Sequence, residues 1–179
     1  MARDDKILKA SFEMFMRYGV KATSMAQIAE AAEVSRQTLY NSFGSKEDIL
    51  RALIRWHYAD AISKLSLTFE ETSAVDKRLD RIFDVVAREP FALMRQSPNS
   101  NDFISGINAA SRDEIATGAS EVQQKIAEAI TGHVPKNKEL ALSRVIFYAI
   151  KSAKENAQDA DDLESLLNAL RGMIALSSE

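Results

Sequence analysis

Cysteine is absent from the 179 residues, and only two histidines, three prolines and six glycines occur. Without thiols there is no disulfide framework, no thiolate nucleophile and no cysteine-based zinc or iron–sulfur site. His57 and His133 are the only imidazoles, and neither falls in a Glu-x-x-His or His-Glu-x-x-His pattern; Gly-x-Ser-x-Gly is missing as well. His57 with Asp60 offers two ligands on one helix face and no third partner in sequence, too few for a metal. No catalytic residue, metal or cofactor is assigned, and an enzyme is not expected. Long apolar runs are lacking too: the longest, Val145 to Ile150, is far too short to span a bilayer. No apolar segment follows the opening Met-Ala-Arg-Asp-Asp-Lys, so the chain reads as soluble and cytoplasmic.

A charge excess is also missing. The formal net charge is −3, with 46% hydrophobic and 27% charged residues, the balance of an ordinary globular protein with a real core. Bulk charge therefore points to no polyanionic partner.

What is present is helical periodicity. With so few Gly and Pro and no Asn-Gly or Asp-Gly hairpin signal, an all-α fold is expected. A first helix spans Asp4 to Tyr18, with Ile7, Leu8, Ser11, Phe12 and Phe15 on one face and Gly19 as a left-handed C-cap. Three start signals then follow in close order. Ser24 with Gln27 matches a capping box opening a short helix that ends near Ala32. Ser35 caps a second short helix containing Thr38, Leu39 and Tyr40 and stopping around Phe43-Gly44. Ser45 caps a long one, with Glu47 and Asp48 in its first turn, continuing to Leu65 or beyond. Further helices are expected over Asp76 to Arg88, Pro90 to Gln96, Asn101 to Thr117, Ser120 to Thr131, Lys138 to Gln158 and Asp161 to Leu176.

Two short helices joined by a tight turn describe a helix-turn-helix. Ala29 occupies the point of close approach, and Ile28, Val34 and Leu39 form the wedge between the helices. The opposite surface carries hydrogen-bonding groups. Arg36 and Gln37 can reach base edges in a major groove; Thr38, Tyr40, Asn41 and Ser42 offer further polar groups, and Lys46 sits at a helix N-terminus where phosphate is favoured. Ser24, Gln27 and Ser35, at the starts of the two helices, complete the candidate DNA-binding set. The same residues also fit a solvated face on a helical pair that never touches DNA.

The stretch from Thr23 to Lys46, TSMAQIAEAAEVSRQTLYNSFGSK, resembles the DNA-binding signature of the tetracycline-repressor-like (TetR) family. Its Ile-Ala, Val-Ser, Thr-Leu-Tyr, Phe and Ser-Lys elements fall at that family's spacing, with the Phe12, Phe15 and Gly19 helix in front. Three positions depart from the pattern: Glu33 stands in the turn where glycine is frequent, Gln37 also replaces a frequent glycine, and Asn41-Ser42 replaces a pair often aromatic or His-containing. These departures bear on turn strain and on which bases are read.

The resemblance implies a helix-turn-helix DNA-binding domain over residues 1–47 and a larger helical domain over 48–179 that binds a small effector and dimerises. It further implies a homodimeric transcriptional regulator, a repressor released from a palindromic operator by the effector. The other reading is a helical ligand-binding or protein-interaction module without DNA binding. Two apolar stripes are candidates for the dimer interface: Leu142, Ile146, Ala149 and Ala153 on one helix, and Leu163, Leu166, Leu167, Leu170, Met173 and Ile174 on the next; they equally fit the protomer's own core. Trp56, Tyr58, Phe83, Phe91, Met94, Phe103, Ile107 and Phe147 are candidates to line an effector pocket, and as a set they suit an apolar ligand.

Overall fold

The computed structural model describes residues 3–176, of which the side chains at 175 and 176 are left aside. Ten α-helices follow one another: α1 (Arg3–Tyr18), α2 (Met25–Ala31), α3 (Arg36–Ser42), α4 (Lys46–Glu71), α5 (Val75–Phe83), α6 (Glu89–Arg95), α7 (Ser100–Ala110), α8 (Arg112–Ile130), α9 (Glu139–Asn156) and α10 (Ala160–Leu176). A π-helical turn, Asp84–Arg88, joins α5 to α6, and a 3-10 turn, Lys136–Lys138, precedes α9. Among the described residues there is no strand beyond one isolated bridge between Thr131 and Val134, as an all-α fold requires. No helix among these residues is long and apolar enough to cross a membrane.

The chain forms two compact units. The first comprises residues 1–57 and 94–117, the second 58–93 and 118–179. The division expected after residue 47 differs from this, because α4 supplies residues to both units and α7 returns to the first.

In the first unit α1 buries Ile7, Ser11 and Phe15, while Leu8 and Phe12 are partly covered. The Ser11 hydroxyl donates to the Ile7 carbonyl at 2.7 Å, which satisfies a polar group taken fully out of water. Ile28, Leu39, Ile49 and Leu50 from α2, α3 and α4 complete the core together with Phe103 and Ile107 of α7. The Phe103 ring meets Phe12 edge-on at 5.4 Å.

Two helix boundaries differ from expectation for identifiable reasons. The helix expected over residues 101–117 breaks at Ser111, whose φ and ψ of −131° and 33° interrupt the helical run. Arg112-Asp113-Glu114 then opens α8, with both acids in the first turn, where the helix dipole favours them. Gly118, read from sequence as part of a break before Ser120, lies inside α8. Its missing side chain makes room for a ring: a Cβ built there falls 2.1 Å from Cγ of Tyr58. The second difference is the end of the helix expected over residues 76–88, where the last turn widens into the π-helical segment.

That wide turn turns Val85 and Ala87 into the second core and sets Arg88 against α10. Arg88 donates to both oxygens of Glu164, at 2.5 and 2.9 Å, and to Asp84 at 2.9 Å. These bonds hold the Glu164 carboxyl below the usual carboxylate range. Arg171 pairs with Asp80, and Arg88 and Arg171 both lie over the Phe83 ring, at 5.8 and 5.5 Å. The C-terminus of α4 is closed by Arg78, which donates to the carbonyls of Thr72 at 2.7 Å and Phe69 at 2.9 Å.

Gly118→Ala is expected to destabilise the protein by about 1–3 kcal/mol, because the Tyr58 ring must be displaced from a packed core. Gly172→Ala in α10, where nothing lies within 4 Å of the added carbon, is expected to stabilise by about 0.5–1 kcal/mol through helix propensity alone. Chemical denaturation of the two variants should show opposite signs.

Candidate nucleic-acid interface

The helix-turn-helix is assembled from elements too short to persist alone, since α2 and α3 have seven residues each. Local chemistry therefore fixes their ends. Gln27 N–H donates to Ser24 Oγ at 3.3 Å, and Gln27 Oε1 accepts from the Ser24 N–H at 2.8 Å, a complete capping box. At α3 the Ser35 Oγ accepts from Thr38 N–H at 3.0 Å. Between the helices the backbone turns through Glu33, whose φ of 51° is left-handed, the strain anticipated for a non-glycine residue at this position. Lys6 of α1 pairs with the Glu33 carboxylate at 2.5 Å and lowers its pKa. Ala29 and Ala32 are buried at the close approach, and Val34 N–H donates to the Ala29 carbonyl at 2.9 Å.

The candidate DNA-binding residues fall into three groups. Arg36, Gln37, Tyr40 and Asn41 are exposed on α3. Arg36 makes no hydrogen bond or ion pair with the described residues, and Tyr40 leaves 52% of its surface to solvent. Gln37 Nε2 donates to Asn41 Oδ1 at 2.8 Å, so these two amides form one preset unit. A second group, Ser24, Gln27, Ser35 and Thr38, is engaged in capping, with Thr38 Oγ1 2.8 Å from Ser35 Oγ. The third group is turned inward: Ser42 Oγ donates to Asp4 Oδ1 at 2.8 Å, and Lys46 Nζ donates to the carbonyls of Val20 at 2.7 Å and Thr23 at 2.8 Å.

Sequence reading missed Thr23, which is buried and donates to the Gly19 carbonyl at 2.7 Å, and Asp4. Asp4 contacts a residue 38 positions away, which no local pattern announces.

Elsewhere the candidates separate. Met94, Phe103 and Ile107 belong to the first core and Phe83, Phe91 and Phe147 to the second, with Tyr58 packed on the latter. Trp56 is 56% exposed. Apart from Trp56, the candidate pocket residues thus divide between the two cores. On α9 and α10, Ile146, Ala153, Leu163 and Leu167 are enclosed by the second unit's own core. Leu142, Leu170 and Ile174 are partly buried against that core and Ala149 is half-buried, while Leu166 and Met173 are exposed. Leu140, Val145 and Tyr148 on α9 are exposed as well.

This geometry is that of a helix-turn-helix, and residues 7–53 match the family described as bacterial regulatory proteins, tetR family. The match covers the helix-turn-helix and its flanking helices, about the first quarter of the chain. Among its relatives is the HTH-type transcriptional activator FasR of Mycolicibacterium smegmatis, 27% identical over 65% of this chain and 54% of that protein. An HTH-type transcriptional regulator of Mycobacterium tuberculosis is 29% identical over 44% of this chain and 42% of its own length. The chain thus spans about half the length of the relatives it matches. A TetR transcriptional regulator from Legionella pneumophila shares the fold with a TM-score of 0.74 at 18% identity, covering 97% of each chain.

Ser35→Ala is expected to cost about 0.5–2 kcal/mol of stability by removing the α3 cap. A loss below that range in chemical denaturation would mean that tertiary packing, not the cap, fixes the start of α3.

Proposed function

We propose that the chain is a TetR-type DNA-binding transcriptional regulator, a homodimeric repressor released from a palindromic operator by a small apolar effector. The single observation that supports it most is the outward face of α3. A capped, wedge-braced helix presents Arg36, the paired Gln37 and Asn41 amides and the Tyr40 ring to solvent. Arginine forks to guanine and amides to adenine are the contacts such a face can make, and the tyrosine hydroxyl suits a phosphate. Two such helices related by a dimer axis would enter successive major grooves about 34–36 Å apart.

Exposed Val145 and Tyr148 on α9, at 63% and 55%, with Leu166 and Met173 on α10, support dimerisation through these helices, because large apolar side chains gain by leaving water. For the effector, the candidate contacts are Tyr58, Phe83, Phe91 and Phe147, which the second unit packs in its core as apolar surface with one polar tip. The effector acts by favouring a conformer that binds DNA poorly, to the extent of its differential affinity for the two states. Helix α4, which carries residues of both units, is the covalent route for that coupling.

The test uses a duplex that the full-length chain selects from a randomised library. Arg36→Ala should weaken binding to it by about 1–3 kcal/mol and relax base preference at one position in each half-site. Tyr40→Ala should weaken binding with the fold intact by circular dichroism. Unchanged affinity in both variants at matched salt would overturn the α3 assignment. Val145→Glu combined with Tyr148→Glu should give a monomer in sedimentation and reduce operator affinity; a dimer with full affinity would remove α9 from the interface.

A further inference from the structure

The turn between α1 and α2, residues 19–24, is held by groups from distant parts of the first unit. Ser97 Oγ donates to the Met16 carbonyl, and Asn99 Nδ2 donates to the Arg17 carbonyl at 2.7 Å. Both acceptors lie in the last turn of α1, where carbonyls lack intrahelical partners, so a segment some eighty residues away supplies the C-cap. Asp102 in the first turn of α7 then reaches the turn itself. Its Oδ2 accepts from the Lys21 N–H at 3.2 Å, and its Oδ1 lies 3.8 Å from Lys21 Nζ. Gly19 has a φ of 87°, and a Cβ there would stand 2.9 Å from Asp102 Oδ2, so glycine serves both the left-handed turn and the approach of the carboxylate. On the other side Lys46 Nζ binds the carbonyls of Val20 and Thr23, and buried Thr23 closes the turn onto Gly19. The turn ends at Ser24, the N-cap of α2.

From this arrangement we propose that Asp102, with Asn99, is a positioning element for DNA binding, and that Lys46 acts with it from inside rather than as a phosphate contact. The proposal rests on the DNA-binding reading above. Asp102 and Lys46 grip one rigid turn from two sides, and that turn sets where α2 begins. Because α2 packs on α3 through Ile28, Ala29 and Leu39, displacement of the turn displaces the reading helix. An acidic residue cannot attract a phosphate, so any contribution of Asp102 to DNA affinity must come through geometry.

The charge sign makes the experiment decisive. Loss of an acid from a DNA-binding unit should by charge alone tighten binding to a polyanion. Positioning predicts the reverse. With full-length protein and the duplex selected by the wild type, Asp102→Ala should weaken binding on the order of five- to tenfold, as expected for a lost hydrogen bond to a charged acceptor. Asp102→Asn keeps an acceptor for the Lys21 N–H and should bind close to wild type. Measurements well below the thermal transition separate this from a purely structural role, in which Asp102→Ala lowers Tm and leaves affinity unchanged. Asn99→Ala, which removes the cap and no charge, should weaken binding in the same direction and serves if Asp102→Ala does not fold. Lys46→Met should weaken binding with an unchanged slope of log K against log salt, whereas removal of a phosphate contact would reduce that slope by about 0.9. Wild-type or tighter binding by Asp102→Ala, or by Asn99→Ala where Asp102→Ala does not fold, overturns the positioning role. A reduced slope in Lys46→Met overturns the inward role of Lys46. A wild-type chain that enriches no duplex overturns the DNA-binding reading itself, and the positioning role with it.

Discussion

Two helices of seven residues must hold a fixed angle although neither can stand alone in water, and the construction of the first unit follows from that constraint. Helix nucleation costs more than so few backbone hydrogen bonds return, so the missing stabilisation has to come from outside each helix. It comes as side-chain caps at Ser24 and Ser35, as a wedge of Ile28 and Leu39 against α1 and α4, and as contacts that pin the connecting turns. Glu33 illustrates how far this goes. A left-handed non-glycine residue is unfavourable by itself, yet the Lys6 ammonium at 2.5 Å ties its side chain to α1. That pairing is strongest above the carboxylate range, because the Glu33 pKa is lowered in the folded chain, and it fades as pH falls through that lowered value.

What was legible in the sequence follows from how far apart the interacting residues lie. Caps and helix periods operate within about four residues, so Ser24, Gln27, Ser35 and the buried face of α1 could be read directly. The helix-turn-helix was legible for the same reason. Where the cause lies at long range, the sequence was silent or misleading. Gly118 resembles a helix break until the Tyr58 ring is seen against it, and the π-helical turn at residues 84–88 has no local signature at all. Lys46 was placed correctly at a helix start, but its ammonium turns inward to carbonyls more than twenty residues away.

The second unit shows the same limit in its apolar stripes. Periodicity identifies a buried face but does not say which body buries it, and Ile146, Leu163 and Leu167 turn out to serve their own core. Large apolar side chains that the core does not cover, such as Val145 and Tyr148, mark the face proposed for a partner, and recognising it requires knowing where the core lies. The aromatics behave alike. The eight phenylalanines are divided between the two cores.

The near-balance of charge in the whole chain is repeated in the pairing of charges on the first unit. Lys6 is paired with Glu33, Arg51 with Asp48, Arg55 with Glu114, and Lys46 with two carbonyls. The cations paired with carboxylates are offset by their partners, so they add little to the field a duplex would meet at a distance. Arg36, exposed on α3, makes no such bond among the described residues. On the proposed reading, a head built like this cannot rely on long-range attraction to find or hold DNA. Its affinity must come from a small number of groups in the right place, and that raises the importance of whatever fixes their placement. The clamp on the α1–α2 turn and the capping serines belong to recognition as much as to folding, because an α3 displaced by a fraction of a hydrogen-bond length would leave the paired Gln37 and Asn41 amides and the Arg36 fork with nothing to hold.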